Sequence, residues 1–177
     1  MKERIYGLIG RTLKHSYSVQ IHRALGNDNY ALYELEPEAL AAFLAREDIG
    51  GVNVTIPYKR DVMEFCDALD ETAREIGSVN TIIRGADGKR TGYNTDAYGL
   101  TYMASRAGIS FAGKKVVIFG SGGAALTAQY VARTSEASEI VVVSRGGADN
   151  YENLSRHADA QILINTTPVG MYPHTGE

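Results

Sequence analysis

Apolar runs of strand length alternate with segments of helical length along this chain. "IYGLIG" (5–10) reads as a short strand, and the polar loop "RTLKHSYS" leads into a short helix near 18–25. "YALYEL" (30–35) is a second strand. Pro37 opens a helix over 37–46, since proline at the first helical position loses no hydrogen bond. "GVNVTI" (51–56) is a third strand, with Val52, Val54 and Ile56 alternating with polar residues as in a half-buried strand. Pro57 ends it, and Lys59 follows two residues later, at the first turn of the next expected helix. Helical segments are expected near 58–67 and 70–76. "VNTIIRG" (79–85) and "KRTGYN" (89–94) flank "ADG", whose Asp-Gly supplies the positive φ angles of a hairpin turn. A helix near 96–107 begins with Asp96 close to its N-terminus.

The pattern changes at "AGISFAGK" (107–114), where two glycines and no clear periodicity mark a boundary. "VVIF", a glycine-rich turn, a helix and "IVVV" follow. Both strands are apolar on both faces, as in a parallel sheet covered on each side, and "AQILINTTP" adds a third of this kind. The reading is therefore α/β. A mixed α/β domain over residues 1–100 precedes a doubly wound parallel domain, incomplete here, over 101–177. With three strands, "VVIF" is expected to carry an exposed apolar edge.

Composition narrows the classes. At 177 residues, 44% hydrophobic and 22% charged, the chain reads as an ordinary soluble protein. A net charge of −3 leaves no electrostatic footprint for nucleic acid. The apolar runs are too short to cross a membrane. The N-terminus has neither the apolar core nor the cleavage site of a signal peptide. Cys66 stands alone, which makes the cytoplasm the default, and the four histidines show no metal-ligand spacing.

"GSGGAA" fits G-x-G-x-x-G/A with Gly120, Gly122 and Ala125, and it sits between a strand and a helix, where the pattern has meaning. Gly120 allows a tight turn. Gly122 lets the backbone approach a pyrophosphate, and Ala125, Ala128 and Ala132 let the helix lie close to the sheet. The helix N-terminus offers free N–H groups and roughly half a positive charge to phosphate. A glycine turn that merely packs well is the alternative. The second strand ends in Ser144 and Arg145 rather than in the carboxylate an NAD site needs for the ribose hydroxyls. A guanidinium grips a 2′-phosphate bidentately, so NADP(H) is expected over NAD(H).

Polar clusters also mark the strand ends of the first half: "KHSYS" (14–18), "NVTIPYK", "VNT" (79–81) and "NTD" (94–96). Each has a bland reading. Ser16 and Ser18 could cap the following helix, Asn80 could be a turn amide, and Asp96 a helix cap.

Taken in order, "LKHSYS…IH", "GGVNVTIPYK", "IGSVNT", "GYNTDAYG", "FGSGGAA", "VVVSR" and "INTTPVGM" resemble the shikimate dehydrogenases over about residues 5 to 172. The Lys-bearing and "NTD" segments are the more specific parts. Members reduce 3-dehydroshikimate to shikimate with NADPH in aromatic amino-acid biosynthesis. The resemblance implies that Ser16 and Ser18 hold the substrate carboxylate. It implies further that Asn53 lines the site, that Thr55 contacts substrate, and that Asn80 and Asp96 bind ring hydroxyls. Lys59 with Asp96 would be the catalytic pair, the lysine protonating the alkoxide left by hydride delivery. Gly120, Ser121, Gly122, Gly123, Ala124 and Ala125 would hold the pyrophosphate. Ser144 and Arg145 would meet the adenosine phosphate, and Thr166 and Thr167 the nicotinamide half.

Three departures stand out. The family's Asn-Arg-Thr is "SRG" here, which keeps Arg145 and loses two polar neighbours. Val19 and Arg23 replace a proline and an asparagine, with little consequence expected. Family chains continue well past "NTTPVGM", so the resemblance implies a fragment or the ordered part of a longer polypeptide. A quinate/shikimate dehydrogenase of broader specificity and an idle shikimate-binding fragment are the alternative readings. A homodimer through the first domain's sheet edge is left open.

Overall fold

The structure is a computed structural model that describes residues 4–14, 16–171 and 175–176. The chain divides into two compact units, Met1–Thr95 and Asp96–Glu177.

The first unit is built on a six-stranded mixed sheet in the order β2-β1-β3-β5-β6-β4. Strand β1 (Ile5–Gly10) runs parallel to β2 (Tyr30–Glu34) and to β3 (Ile49–Val54). Strand β5 (Thr81–Arg84) returns antiparallel to β3 and pairs with β6 (Arg90–Tyr93) through the expected hairpin, in which Gly88 adopts φ +82°. The two-residue edge strand β4 (Ala68–Leu69), beside β6, is too short for any apolar pattern to announce.

Alternation along the strands sends side chains to opposite faces. Ile9, Val52, Val54 and Ile82 point into the main core, where Leu40, Phe43 and Leu44 of α2 (Pro37–Leu44) and Ala73 of α3 (Glu71–Ile76) cover them. Asp70 caps α3, accepting the Ala73 and Thr72 N–H groups, and Gly77 ends it in the left-handed conformation. The opposite face carries Leu8 and Tyr30, packed with Leu13 and Val19, and is the face nearest α1 (Ser18–Ala24).

The segment after β3 differs from expectation. The strand stops at Val54, two residues early, and a cis Ile56–Pro57 peptide follows. Instead of a helix over 58–67, residues 56–60 form turns and Asp61–Phe65 a 3-10 helix. Lys59 therefore sits in the turn rather than in a helical first turn. The side chain of Tyr58 is fully buried, and its hydroxyl donates to the Leu35 carbonyl. That anchor fixes the chain where a regular helix would have turned Tyr58 with its neighbours.

The second unit begins with α4 (Asp96–Arg106), which packs against α5 (Gly123–Thr134). The two compact units part ahead of α4, between Thr95 and Asp96. Strands β7 (Lys115–Phe119), β8 (Glu139–Val143) and β9 (Ile162–Asn165) form an all-parallel sheet in the order β8-β7-β9. The expected exposed edge on the first of these strands is thus absent: β7 is paired on both sides, and its Val116, Val117 and Ile118 are fully buried. Ala125, Ala128 and Ala132 are also buried, which lets α5 lie close. A 3-10 turn, Leu154–His157, precedes β9.

Candidate functional site

In the first unit the polar loops gather at one end of the sheet. Parallel strands β1, β3 and β6 finish there, and antiparallel β5 begins there. Open α/β sheets bind ligands beyond the carboxyl ends of their strands.

The serine loop is pinned from below. Leu13 is buried, its N–H donates to Glu34 Oε1 at 2.6 Å, and its carbonyl accepts the Ser16 N–H at 3.1 Å. Neither serine side chain caps α1, whose N-cap is Tyr17. Instead, Ser16 Oγ accepts the Ser18 N–H at 3.2 Å. His15 of this loop lies outside the described residues.

Thr55 lies just past β3, its N–H donating to the Ile9 carbonyl at 2.9 Å. It packs so near β1 that a Cβ on Gly10 would come within 2.7 Å of its Cγ2. Gly10 therefore serves the site by close approach, a role its place at a strand end did not disclose. Lys59 is half-buried, and its carbonyl accepts the Val79 N–H at 2.7 Å, which ties it to the residue before Asn80.

Asn53 and Asn80 belong to one polar run. The Tyr30 hydroxyl donates to Asn53 Oδ1 at 2.7 Å, and Asn53 Nδ2 to Thr81 Oγ1 at 3.0 Å. Thr81 Oγ1 donates to Asn80 Oδ1 at 3.1 Å, and Asn80 Nδ2 to Thr95 Oγ1 at 2.9 Å. The Thr95 N–H closes back on Asn80 Oδ1 at 2.9 Å. Burial is the larger influence on the Tyr30 phenol and pushes its pKa up to about 12, against an opposing influence of the Ser18 side chain. Tyr30 stacks on His22, with ring centroids 3.6 Å apart. Sequence reasoning missed Tyr30, Thr81, Thr95 and His22. The pairing register brings Tyr30 near Asn53, and no motif spacing encodes it. Asp96, the next residue after Thr95, opens α4 in the second unit.

The second unit gathers the glycine turn, the end of β8 and the end of β9. Gly120 has φ +111°, and a Cβ there would lie 2.6 Å from Thr166 Oγ1. Only glycine fits. Its N–H donates to the Val143 carbonyl at 2.9 Å, beside Ser144, and the Thr166 N–H and hydroxyl both donate to the Phe119 carbonyl. Gly122, the N-cap of α5, has open space where its Cβ would stand, and Ser121 beside it is exposed. Gly123 and Ala124 form the first turn of α5. A helix start with open space beside its N-cap glycine suits a pyrophosphate, so the residues present fit a dinucleotide. Thr167 is turned inward on Asn165 Oδ1, to which its N–H and hydroxyl donate at 2.9 and 2.7 Å.

Arg145 is exposed at the tip of the β8 loop. Bonds from the Ser144 N–H to the Asp149 carbonyl and from the Gly147 N–H to the Ser144 carbonyl shape that loop. Asp149 Oδ1 lies 2.8 Å from His157 Nε2, which braces the loop from the 3-10 turn. Neither Asp149 nor His157 was singled out by the sequence reading.

Residues 8–82 match the shikimate dehydrogenase substrate binding domain family. A shikimate dehydrogenase (NADP(+)) of Clostridium perfringens is 37% identical over 193 residues, covering 97% of this chain and 71% of that protein. The chain belongs to the shikimate dehydrogenase family. A solved shikimate dehydrogenase from Peptoclostridium difficile superposes with a TM-score of 0.88 at 35% identity, covering 98% of this chain and 71% of that one. The Thermus thermophilus shikimate 5-dehydrogenase, solved in complex with NADP(H) and shikimate, gives a TM-score of 0.81 at 29% identity, with coverage of 94% and 69%. As in the shikimate dehydrogenases it resembles, the fold is α/β, with a substrate unit followed by a Rossmann-type parallel unit.

Proposed function

We propose that this chain is an oxidoreductase that reduces 3-dehydroshikimate to shikimate with NADPH, a step of aromatic amino-acid biosynthesis. The observation that carries the reading is the polar run at the sheet end, which joins Asn53 and Asn80, two side chains assigned to substrate by the resemblance. Family membership at 37% identity across nearly the whole chain supports it.

In this reading Ser16 and Ser18 hold the substrate carboxylate, Thr55 and Asn53 line the site, and Asn80 and Asp96 take ring hydroxyls. The nicotinamide supplies the hydride when bound. Lys59 delivers a proton to the ketone oxygen as that oxygen gains negative charge, and Asp96 completes the catalytic pair by orienting the ammonium. Gly120 to Ala125 hold the pyrophosphate, Arg145 and Ser144 the 2′-phosphate, and Thr166 and Thr167 approach the nicotinamide half. The substrate domain of this reading covers 1–100 and the cofactor domain 101–177.

No helix among the described residues is long and apolar enough to cross a membrane. Cytoplasmic residence, and a homodimer through the first unit's sheet edge, belong to the same reading.

The test is reduction of NADP⁺ with shikimate and, separately, with quinate, followed by the absorbance of the reduced nicotinamide. Turnover with shikimate alone is expected. Comparable turnover with quinate favours the broader dehydrogenase, and binding without turnover favours an idle binding protein.

A further inference from the structure

The polar run of the first unit has a direction, and one group sets it. The Thr95 backbone N–H can only donate, so the atom of Asn80 it meets, at 2.9 Å, must be the amide oxygen. That oxygen also accepts from the Thr81 hydroxyl at 3.1 Å and lies 3.2 Å from the Thr95 hydroxyl, with the Thr81 proton directed to it. Thr81 Oγ1 is then left to accept, and Asn53 Nδ2 donates to it at 3.0 Å. Asn53 consequently turns its oxygen the other way, toward the Tyr30 hydroxyl at 2.7 Å. Each amide of the run is thus held on both sides by a hydroxyl neighbour. Tyr30 is held by its own setting: it is buried, stacked on His22 at 3.6 Å, with its hydroxyl donating to Asn53. A phenol whose pKa is pushed up to about 12 keeps its proton throughout the neutral range.

We propose that Tyr30 and Thr81 are positioning residues of the substrate site, which act through Asn53 and Asn80 to fix the amide atoms offered to the ligand. The inference rests on the activity proposed above. Both asparagines have their oxygens engaged and keep one N–H each beyond the bonds of the run, so at these two points the site offers donors. It suits ligand oxygens that accept, such as the hydroxyls and carboxylate of a polyhydroxylated ring acid.

The experiment uses the full chain with Tyr30→Phe, Thr81→Val, Thr81→Ser and the double variant Tyr30→Phe/Thr81→Val. Tyr30→Phe keeps the ring and its stack, so it preserves the fold and removes only the hydroxyl. In ¹⁵N-labelled protein without ligand, Tyr30→Phe is expected to move the side-chain amide signals of both Asn53 and Asn80, although Tyr30 touches only the first. Thr81→Val is expected to raise KM for 3-dehydroshikimate roughly five- to tenfold, the worth of one net hydrogen bond, with KM for NADPH unchanged. Thr81→Ser should restore it, and Thr81→Val should add little on the Tyr30→Phe background. An Asn80 amide signal that ignores Tyr30→Phe overturns the proposal. So do fully additive effects, or equal shifts in both KM values. A wild-type protein inert toward 3-dehydroshikimate counts against the proposed activity, and the amide signals then still decide whether the run orients its asparagines.

Discussion

The two units build their candidate sites from different material. In the first, the proposed site consists of side chains held by other side chains: Asn53 by Tyr30 and Thr81, Asn80 by Thr81 and Thr95, the serine loop by Glu34. In the second it is mostly backbone: a glycine turn, a helix start with open space beside its N-cap glycine, and strand-end carbonyls that tie Gly120 to Val143 and Thr166 to Phe119. A side-chain site is vulnerable to the loss of a functional group. A backbone site is vulnerable to the gain of a Cβ. Chemistry that must move a proton needs the first kind, whereas binding a pyrophosphate needs only the second.

The largest expected effect lies in the first unit. Lys59→Ala removes the proposed proton donor and should lower kcat by roughly 10²–10⁴-fold, with the dissociation constant for shikimate little changed. Steady-state kinetics beside calorimetric titration measures both. The fold should tolerate the change, since the buried Tyr58 and the Val79 N–H anchor that turn. A variant that keeps more than about a tenth of the wild-type rate would show that this position does not supply general-acid catalysis.

The mirror test in the second unit adds one carbon. Gly120→Ala places a Cβ 2.6 Å from Thr166 Oγ1 on a backbone at φ +111°. Strain of about 1–3 kcal/mol is expected, seen as a lower melting temperature together with weakened NADPH binding. Gly122→Ala has open space for its methyl. It should melt like the wild type and still lose cofactor affinity, because that space is where the pyrophosphate would approach. Equal melting losses in both variants would erase the distinction between a glycine the fold needs and one the ligand needs.

The same contrast explains what the sequence disclosed. The second unit was legible because its function is a spacing: Gly120, Gly122 and Ala125 between an apolar strand and an amphipathic helix have few other meanings. The continuous apolar runs also announced the parallel strands. The first unit disclosed which residues were unusual and concealed what held them. Tyr30 reads as an ordinary strand residue, and only the β1–β2 and β1–β3 registers bring it within reach of Asn53. Gly10 looked like a strand terminator, and only the close pass of Thr55 gives it a further reason. The missed turn at 56–60 has the same origin. Residues 58–67 carry helix-compatible composition, and the burial of Tyr58 against Leu35, a tertiary contact, overrides it.

Arg145 is the exception within the second unit, an exposed side chain on a site otherwise made of backbone. Arg145→Ala should reduce the preference for NADP(H) over NAD(H) roughly ten- to hundredfold, the range of a hydrogen bond to a charged group, with KM for 3-dehydroshikimate unchanged. Comparing kcat/KM for the two cofactors reads it directly. A preference that survives would assign 2′-phosphate recognition to the loop backbone and bring this segment into line with the glycine turn.

The smallest effect is expected far from either site. Lys115 at the start of β7 meets Glu139 of β8 at 3.2 Å and Asp159 before β9 at 3.0 Å, an ionic tie across all three strands. The bond with Asp159 leads the upward shift of the lysine and the downward shift of that aspartate. The aspartate's contribution is complete above the ordinary Asp pKa, about 3.9, and is lost as pH falls through its lower folded value. The lysine's is complete below its ordinary pKa, about 10.4, and is lost as pH rises through its higher folded value. Between those limits the tie is constant, so it shapes no pH dependence near neutrality. Both carboxylates are more than half exposed, which leaves them screened by salt. Lys115→Met should therefore lower the melting temperature slightly at pH 7, less so in high salt and progressively less in acid as Asp159 takes up its proton. Both KM values should stay as they were, since the sheet keeps its hydrogen-bonded register and the glycine turn hangs from the other end of β7. A shift in KM for NADPH would mean that strand alignment at the bottom of the sheet reaches Gly120, and that the backbone-built site is less self-contained than its local bonds suggest.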